Sequence, residues 1–476
     1  MVRGKRLSQV LVFVCTLMLL LNGCTAKQPA APQQTPQAGQ ANLDLMLAGK
    51  KVGSESIAVI GGGQSNKLWI IDAKYHKMLT TLDITGPKLD RTDPKLYPNI
   101  HDTHAIVFTK DFKTMYTADW FNYNEDSYVI ALDPKTFKEI ARIPTGRGSH
   151  HSALSPDDKY LYVANQHDTT VSVIDTKTFK KVKDLQVGKG PDYISPSMYW
   201  DGKAIDSPYL FVSVDGENKV AVIDWKKNEV VKSIPVEVTL HGVNLTPDGK
   251  YVWAALIGGK DVAVIDVQKL EVVKKITFEQ GPIHIVFSPD GKYGYVTTMG
   301  NLLHKVDTSS YQIVWKVTGT TVPAHLGVSP DGKELWTLNH GMDPKRYPYL
   351  LGGQPVNGIQ IFDTDNGELI NEVPAEAMPH EIQFVPYSTF GTPAPPKAPE
   401  GAQVGKDIYD KNCAGCHGAN GEGDMGPKLA TAEWSDPQKV AQLVREGKGK
   451  SMPAFKDKLK AEEIDAVAKF VPSLKK

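Results

Sequence analysis

Two sets of residues in this 476-residue chain carry chemistry that a solvated surface does not need. Toward the C-terminal end, Cys413-Ala-Gly-Cys416-His417 has the spacing of covalent c-type haem attachment. The two thiols add to the vinyl groups and the imidazole that follows ligates the iron from one side. A thioether lies downstream in Ser451-Met452-Pro453, with Met425 as the alternative. The second set is histidine, 13 in all. His104 precedes Asp111 by seven residues and His241 precedes Asp248 by seven, while His284 and His325 precede Asp290 and Asp331 by six. His150 and His151 precede Asp157 by seven and six, and His380 takes the matching place after Met378-Pro379. Many imidazoles around one axis would repel if protonated; neutral and metal-bound they are compatible, and imidazole suits copper, zinc, iron and nickel. Adjacent residues of a strand face opposite ways, so one of His150 and His151 is expected to point at that axis and the other away from it.

The aspartates that set those offsets belong to a repeat. A β-rich run ending in Asp occurs seven times, at Asp72, Asp133, Asp175, Asp224, Asp266, Asp307 and Asp363. Between copies stands a second phrase, as in SPDDKYLYVAN, TPDGKYVWAAL, SPDGKYGYVTT and SPDGKELWTLN. Pro-Asp-Gly is a tight-turn signal, and the flanking alternation is that of a half-buried strand. Four short strands per unit, repeated seven times without helical periodicity, predict an all-β seven-bladed β-propeller over 51–386. The histidine position then begins the innermost strand of each blade, so six blades aim imidazoles at the central channel and the remaining blade has Pro191-Asp192-Tyr193 there. A Pro-rich linker at 387–401 leads to a small all-α domain at 402–476.

The repeat resembles the YVTN propellers, and the C-terminal stretch resembles class I cytochrome c, with Met452 where that family places its distal ligand. The local phrases Gly281-Pro282-Ile283-His284, Val322-Pro323-Ala324-His325-Leu326, Leu240-His241-Gly242 and Met378-Pro379-His380-Glu381 resemble the cluster-binding motifs of nitrous oxide reductases. So does the stretch from Trp336 to Arg346. That resemblance implies a copper–sulfide cluster of the CuZ type held by His101, His104, His150 or His151, His241, His284, His325 and His380, with N2O as substrate. Lys305 is the candidate for the family's lysine beside the cluster; His304 and His340 are expected beside the site or at the surface, and His76 and His167 at the surface. Two departures stand out. His101 and His104 are separated where the family's first pair is adjacent, and a cytochrome c stands where the family carries a thiolate-bridged copper domain.

Composition bounds the rest. Basic and acidic residues balance at 54 each, which excludes a polyanion binder driven by bulk charge and any nucleic-acid partner on that ground. Four cysteines, two of them in the haem motif, leave none for a structural disulfide, an iron–sulfur cluster or a thiolate-bridged copper pair. Residues 1–24 read as a secretion leader whose Leu21-Asn22-Gly23-Cys24 resembles a lipobox, so Cys24 is expected to be lipidated and to anchor the chain outside the cytoplasmic membrane. Residues 25–50 read as a disordered tether. The expected cofactors are one haem c and the copper–sulfide cluster, with calcium as an optional further ion. The expected partners are a donor such as a cytochrome or a quinol-oxidising complex, with a homodimer allowed for. Two other readings fit the domain pair: a cytochrome cd1-like protein with haem d1 in the propeller and nitrite as substrate or d1 as cargo, and a non-enzymatic electron-transfer lipoprotein.

Overall fold

The computed structural model describes residues 56–62, 67–83, 103–118, 127–195, 205–318, 323–339, 358–375 and 379–390, and 400–475 apart from 424, 450, 451 and 457. The leader, Cys24, the tether, His101 and His340 lie outside the described residues. From β1 (Ser56–Gly62) to β28 (Pro379–Pro386), the strands form seven four-stranded antiparallel sheets, the seven blades expected from the repeat. Six blades use four consecutive strands. The first is closed by the last strand: β28 lies inside β1, β2 (Lys67–Asp72) and β3 (Lys77–Asp83), pairing Ile57 with Val385. His380 therefore sits on the innermost strand of the first blade.

Both repeated phrases are turn wiring. In Ser/Thr-Pro-Asp, the hydroxyl of Ser155, Thr246, Ser288 or Ser329 donates to the aspartate two residues on, at 2.6–2.7 Å. It also accepts the N–H of the residue that opens the next strand, as from Tyr160, Tyr251, Tyr293 and Glu334. The Asp that ends the third strand accepts backbone N–H groups two and three residues ahead, as Asp175 does from Lys177 and Thr178. Four residues after that Asp the chain turns through positive φ in every blade, at His76, Phe137, Phe179, Asn228, Leu270, Tyr311 and Gly367. Only one of those seven is glycine, so the Asx wiring rather than residue type imposes the turn.

The inner three strands of each blade are nearly all buried, and aromatic residues of the second strand, such as Tyr116, Tyr162, Trp253 and Trp336, fill the space between blades. The outermost strands face water along most of their length, as in Lys180–Gln186, where Leu185 alone is buried. Such apolar burial holds the propeller together without a metal. The core also extends past the expected boundary: Tyr387 and Phe390, assigned to the linker from composition, are buried against Phe137 and the first blade.

The C-terminal domain is helical: α1 (Glu400–Asn412), α2 (Ala414–His417), α3 (Pro437–Glu446) and α4 (Ala461–Phe470). Asp436 caps α3 through the Gln438 N–H at 2.9 Å with Pro437 in the first turn, and Glu463 caps the N–H of Lys460 at the start of α4. Tyr409, Val440, Val444, Ile464 and Val467 form its core. Helix α1 is tied to the first blade at the turn following Asp72: Lys74 pairs with Asp407 at 2.5 Å, and Lys406 bonds Asp410 at 2.6 Å and the Tyr75 hydroxyl. Asp72 is level with Ile57 and hence with Val385, so this junction lies at the opposite end of the blade from His380.

Candidate metal centre in the propeller and the haem site

The expected ring residues come together. His104, His150, His151, His284, His325 and His380 are all at least 95 % buried at the start of the inner strands. Ring centroids run from His150 to His104 at 4.1 Å, to His380 at 3.4 Å, to His325 at 3.8 Å and to His284 at 4.9 Å. His104, His150, His151 and His380 each offer one ring nitrogen, and these four atoms lie within 4.8 Å of one another; His151, His325, His380 and Glu381 form a second such group. His241 joins from the side, 5.7 Å from Tyr193.

One expectation is corrected. His150 and His151 are adjacent, yet both face the cluster, because the pairing of β8 (Ser149–Leu154) with its neighbour shifts register between Ser149 and Ser152. A bulge cancels the alternation that would turn one of them away. The same shift occurs at the ring residue of β12 (Pro191–Ile194), β20 (Pro282–Phe287) and β24 (Pro323–Val328), and at Gly61/Gly62 opposite Pro379. Prolines 191, 282, 323 and 379 mark these places, since a residue with no N–H is tolerated at a bulge.

The blade without histidine is not blank. The Tyr193 hydroxyl bonds His284 Nε2 at 2.8 Å and His325 Nδ1 at 2.7 Å, and its ring stacks on His151 at 3.6 Å. Asp192, fully buried, contacts His150 Nδ1 and lies 3.7 Å from His241 Nδ1. Glu381 lies 3.3 Å from His151 Nδ1 and 3.9 Å from His325 Nδ1. These three orienting groups were absent from the expected site, although Asp192-Tyr193 and His380-Glu381 stand beside it in sequence.

Burial sets the charges. It pushes His151 and His241 below the ordinary imidazole value, against the pull of the Asp192 carboxylate. Burial also raises the Glu381 carboxyl to about 8. At Asp192 burial works upward, but the His150 and His241 imidazoles outweigh it and hold the carboxyl below its usual range. His151 Nε2 is buried without a hydrogen-bond partner among the described residues, an arrangement that costs free energy unless a ligand takes the lone pair. An all-imidazole donor set with carboxylates behind it fits copper or another imidazole-binding metal.

Other expectations fall away. Lys305 lies on the third strand of its blade, its ammonium bonded to the Thr364 carbonyl at 2.8 Å and over the Tyr293 ring, and so packs between blades rather than beside the cluster. His304 is fully buried against Phe278, its Nε2 3.3 Å from Glu279. His76 is not a surface residue: its Nε2 pairs with Glu334 at 2.9 Å and its ring meets the Trp336 edge. His167 also packs inward, against Gly148, and burial lowers it to about 4.

In the helical domain Cys413 stands at the start of α2 and Cys416 within it, and His417 ends it, 8 % exposed. His417 Nδ1 donates to the Pro427 carbonyl at 2.8 Å, which fixes the tautomer and leaves Nε2 for iron. A Cβ on Gly426 would lie 2.9 Å from the His417 ring, so that position needs glycine. Met452 packs against the helical core whereas Met425 is 81 % exposed, which favours Met452 as the second axial ligand.

A central cavity of about 170 Å³ runs below the ring, from His151, Tyr193 and His284 down the inner strands to Pro289 in a turn at the other end. Among its described lining residues there is no lysine or arginine, and Glu381 is the one carboxylate.

Comparison with known proteins agrees with both domains. Residues 75–390 match the family model "Lactonase, 7-bladed beta-propeller", and residues 400–471 match "Cytochrome C oxidase, cbb3-type, subunit III". Among curated relatives, a cbb3-type cytochrome c oxidase subunit CcoP of Azospirillum brasilense is 34 % identical over 15 % of this chain and 28 % of its own length. A quinohemoprotein alcohol dehydrogenase ADH IIB of Pseudomonas putida is 31 % identical over 26 % of this chain and 18 % of its own. A cytochrome c6 of Bryopsis maxima is 38 % identical over 14 % of this chain and 86 % of its own. Among solved structures, a chain of Kuenenia stuttgartiensis hydrazine synthase covers 61 % of this chain and 92 % of its own, at 21 % identity and a TM-score of 0.49. No described helix is long and apolar enough to cross a membrane. The chain belongs to the lactonase-type seven-bladed β-propeller family and carries a C-terminal cytochrome c domain, which implies one haem c.

Proposed function

We propose that this protein is a haem-linked reductase of nitrous oxide, whose propeller histidines hold a copper–sulfide cluster and whose cytochrome c domain gathers single electrons. The carrying observation is the convergence of four buried imidazole nitrogens within 4.8 Å, on a chain with no cysteine left for a thiolate site. His104, His150, His151 and His380 form the core of the ligand set, with His325, His284 and His241 completing it; His101 belongs to the same proposal from sequence. Bound there, such a cluster supplies an electron-rich centre able to bind a poor, inert ligand and pass it two electrons. The chain's own residues do the rest. Tyr193 orients His284 and His325, Asp192 orients His150 and His241, and Glu381 orients His151 and His325. The blades exclude bulk water. The net reaction is N2O + 2 e⁻ + 2 H⁺ → N2 + H2O.

The cavity speaks against haem d1. At about 170 Å³ it is smaller than the ~300–1,000 Å³ typical of clefts for organic ligands, and its described lining offers no cation for porphyrin carboxylates. Secretion, anchoring through Cys24 and electron supply from a cytochrome or a quinol-oxidising complex complete the proposal. It is tested by mixing anaerobic, copper-loaded, haem-reduced protein with 15N-labelled N2O. The expected result is reoxidation of the haem with release of labelled N2. Reoxidation by nitrite but not by N2O would overturn it.

A further inference from the structure

We infer that the channel beneath the ring is the access route and holding cavity for a small, uncharged, weakly polar molecule, admitted from the turn end of the propeller. The inference rests on the reading that such a molecule reacts at the ring, and it assigns the residues that select it. The inner strands run about 20 Å from their histidine ends to their turns, at 3.3–3.4 Å per residue. The cavity follows them, with His151, Tyr193 and His284 at one end and Pro289, exposed in its turn, at the other. Val107, Val286 and Val328 are each partly exposed between more deeply buried neighbours, because they face the channel.

This lining discriminates by charge. An anion such as nitrite would shed its hydration to enter and meet no described cation in exchange; an uncharged molecule bears neither cost. It also discriminates by size, since bulky valines narrow the passage. Apolar cavities of about 150 Å³ take up xenon, and the valine-lined stretch, flanked by Ser152, Asn244 and Gln383, offers that atom a comparable volume.

The test uses xenon on the full chain with its haem in place. Crystals of the unaltered protein under xenon pressure should show the atom between Val107, Val286 and Val328. In solution, xenon NMR should report a saturable site that is lost, by tenfold or more in affinity, in Val286→Trp and in Val107→Trp. The same variants should raise the KM for N2O at least tenfold while copper content holds. Xenon absent from the channel in crystals, folded variants that bind it as the unaltered protein does, or displacement of xenon by nitrite would each overturn the inference. Xenon bound and blocked as described, in a protein that does not reduce N2O, would leave the channel assignment standing and remove the reductase reading instead.

Discussion

The two sites of this chain are built on opposite principles. The haem site is local: Cys413, Cys416 and His417 lie within five consecutive residues, and one short helix with a carbonyl from Pro427 positions them. The ring is topological: its histidines come from six blades between His104 and His380, with Asp192 and Tyr193 from the seventh, and it exists only when β28 closes the first blade. A local site survives changes elsewhere, whereas a closed ring fails as a unit. Losses within such a unit are not additive.

The largest expected effect follows from that contrast. His104→Ala or His151→Ala should lower N2O-dependent turnover on the order of 100-fold or more and deplete copper, and the double variant should be scarcely worse than either single one. The haem absorption spectrum should not change. Tyr193→Phe, which removes an orienting bond rather than a ligand, should cost less, about 10- to 100-fold. Retention of full copper and activity in the alanine variants would break the comparison, since the ring would then not act as a unit.

Met452→Ala is the corresponding test at the local site. The thioethers do not depend on it, so the haem should stay attached while the iron loses its second axial ligand and its potential falls. Turnover with protein donors should drop, and turnover with a small reductant that reaches the propeller directly should persist. Equal loss of both would merge the two roles that the architecture separates.

How much of this was legible in sequence also follows the local–topological divide. Cys-x-x-Cys-His, the seven Asp-terminated runs and the Ser-Pro-Asp-Gly turns are contiguous, so the blades and the haem domain could be read directly. The offset of histidines from those turns placed the ring as well. What could not be read by counting was orientation. Alternation predicted one inward residue of His150 and His151, and a bulge supplies two. The aspartate and tyrosine of the histidine-free blade were visible but looked like a gap. His76 and His167 lie in turns, and their partners, Glu334 and Gly148, are remote in sequence or belong to another turn.

Those two histidines give the smaller predictions. His76→Ala removes a half-buried pair with Glu334 and a contact with Trp336, so it should lower stability by about 1–3 kcal/mol, read as a Tm a few degrees lower, without loss of copper. For His167 the sign comes from burial. The folded chain holds it at about 4 while the unfolded chain binds a proton near 6.5, so the unfolded state takes up more protons in between and stability is lost as pH falls through that window. His167→Gln should flatten the fall of Tm between pH 6.5 and 4. An unchanged slope would mean that its imidazole is not held neutral by the fold.

The central claim is that the ring holds copper, and it is tested most directly by metal and acid-labile sulfide analysis of the full chain, purified without oxygen from cells able to mature such clusters. Several copper ions and sulfide per chain are expected beside one iron from the haem, with copper and sulfide lost together in His151→Ala. Absence of copper, with one iron and nothing in the unaltered ring or with a second iron in a green porphyrin there, would contradict it.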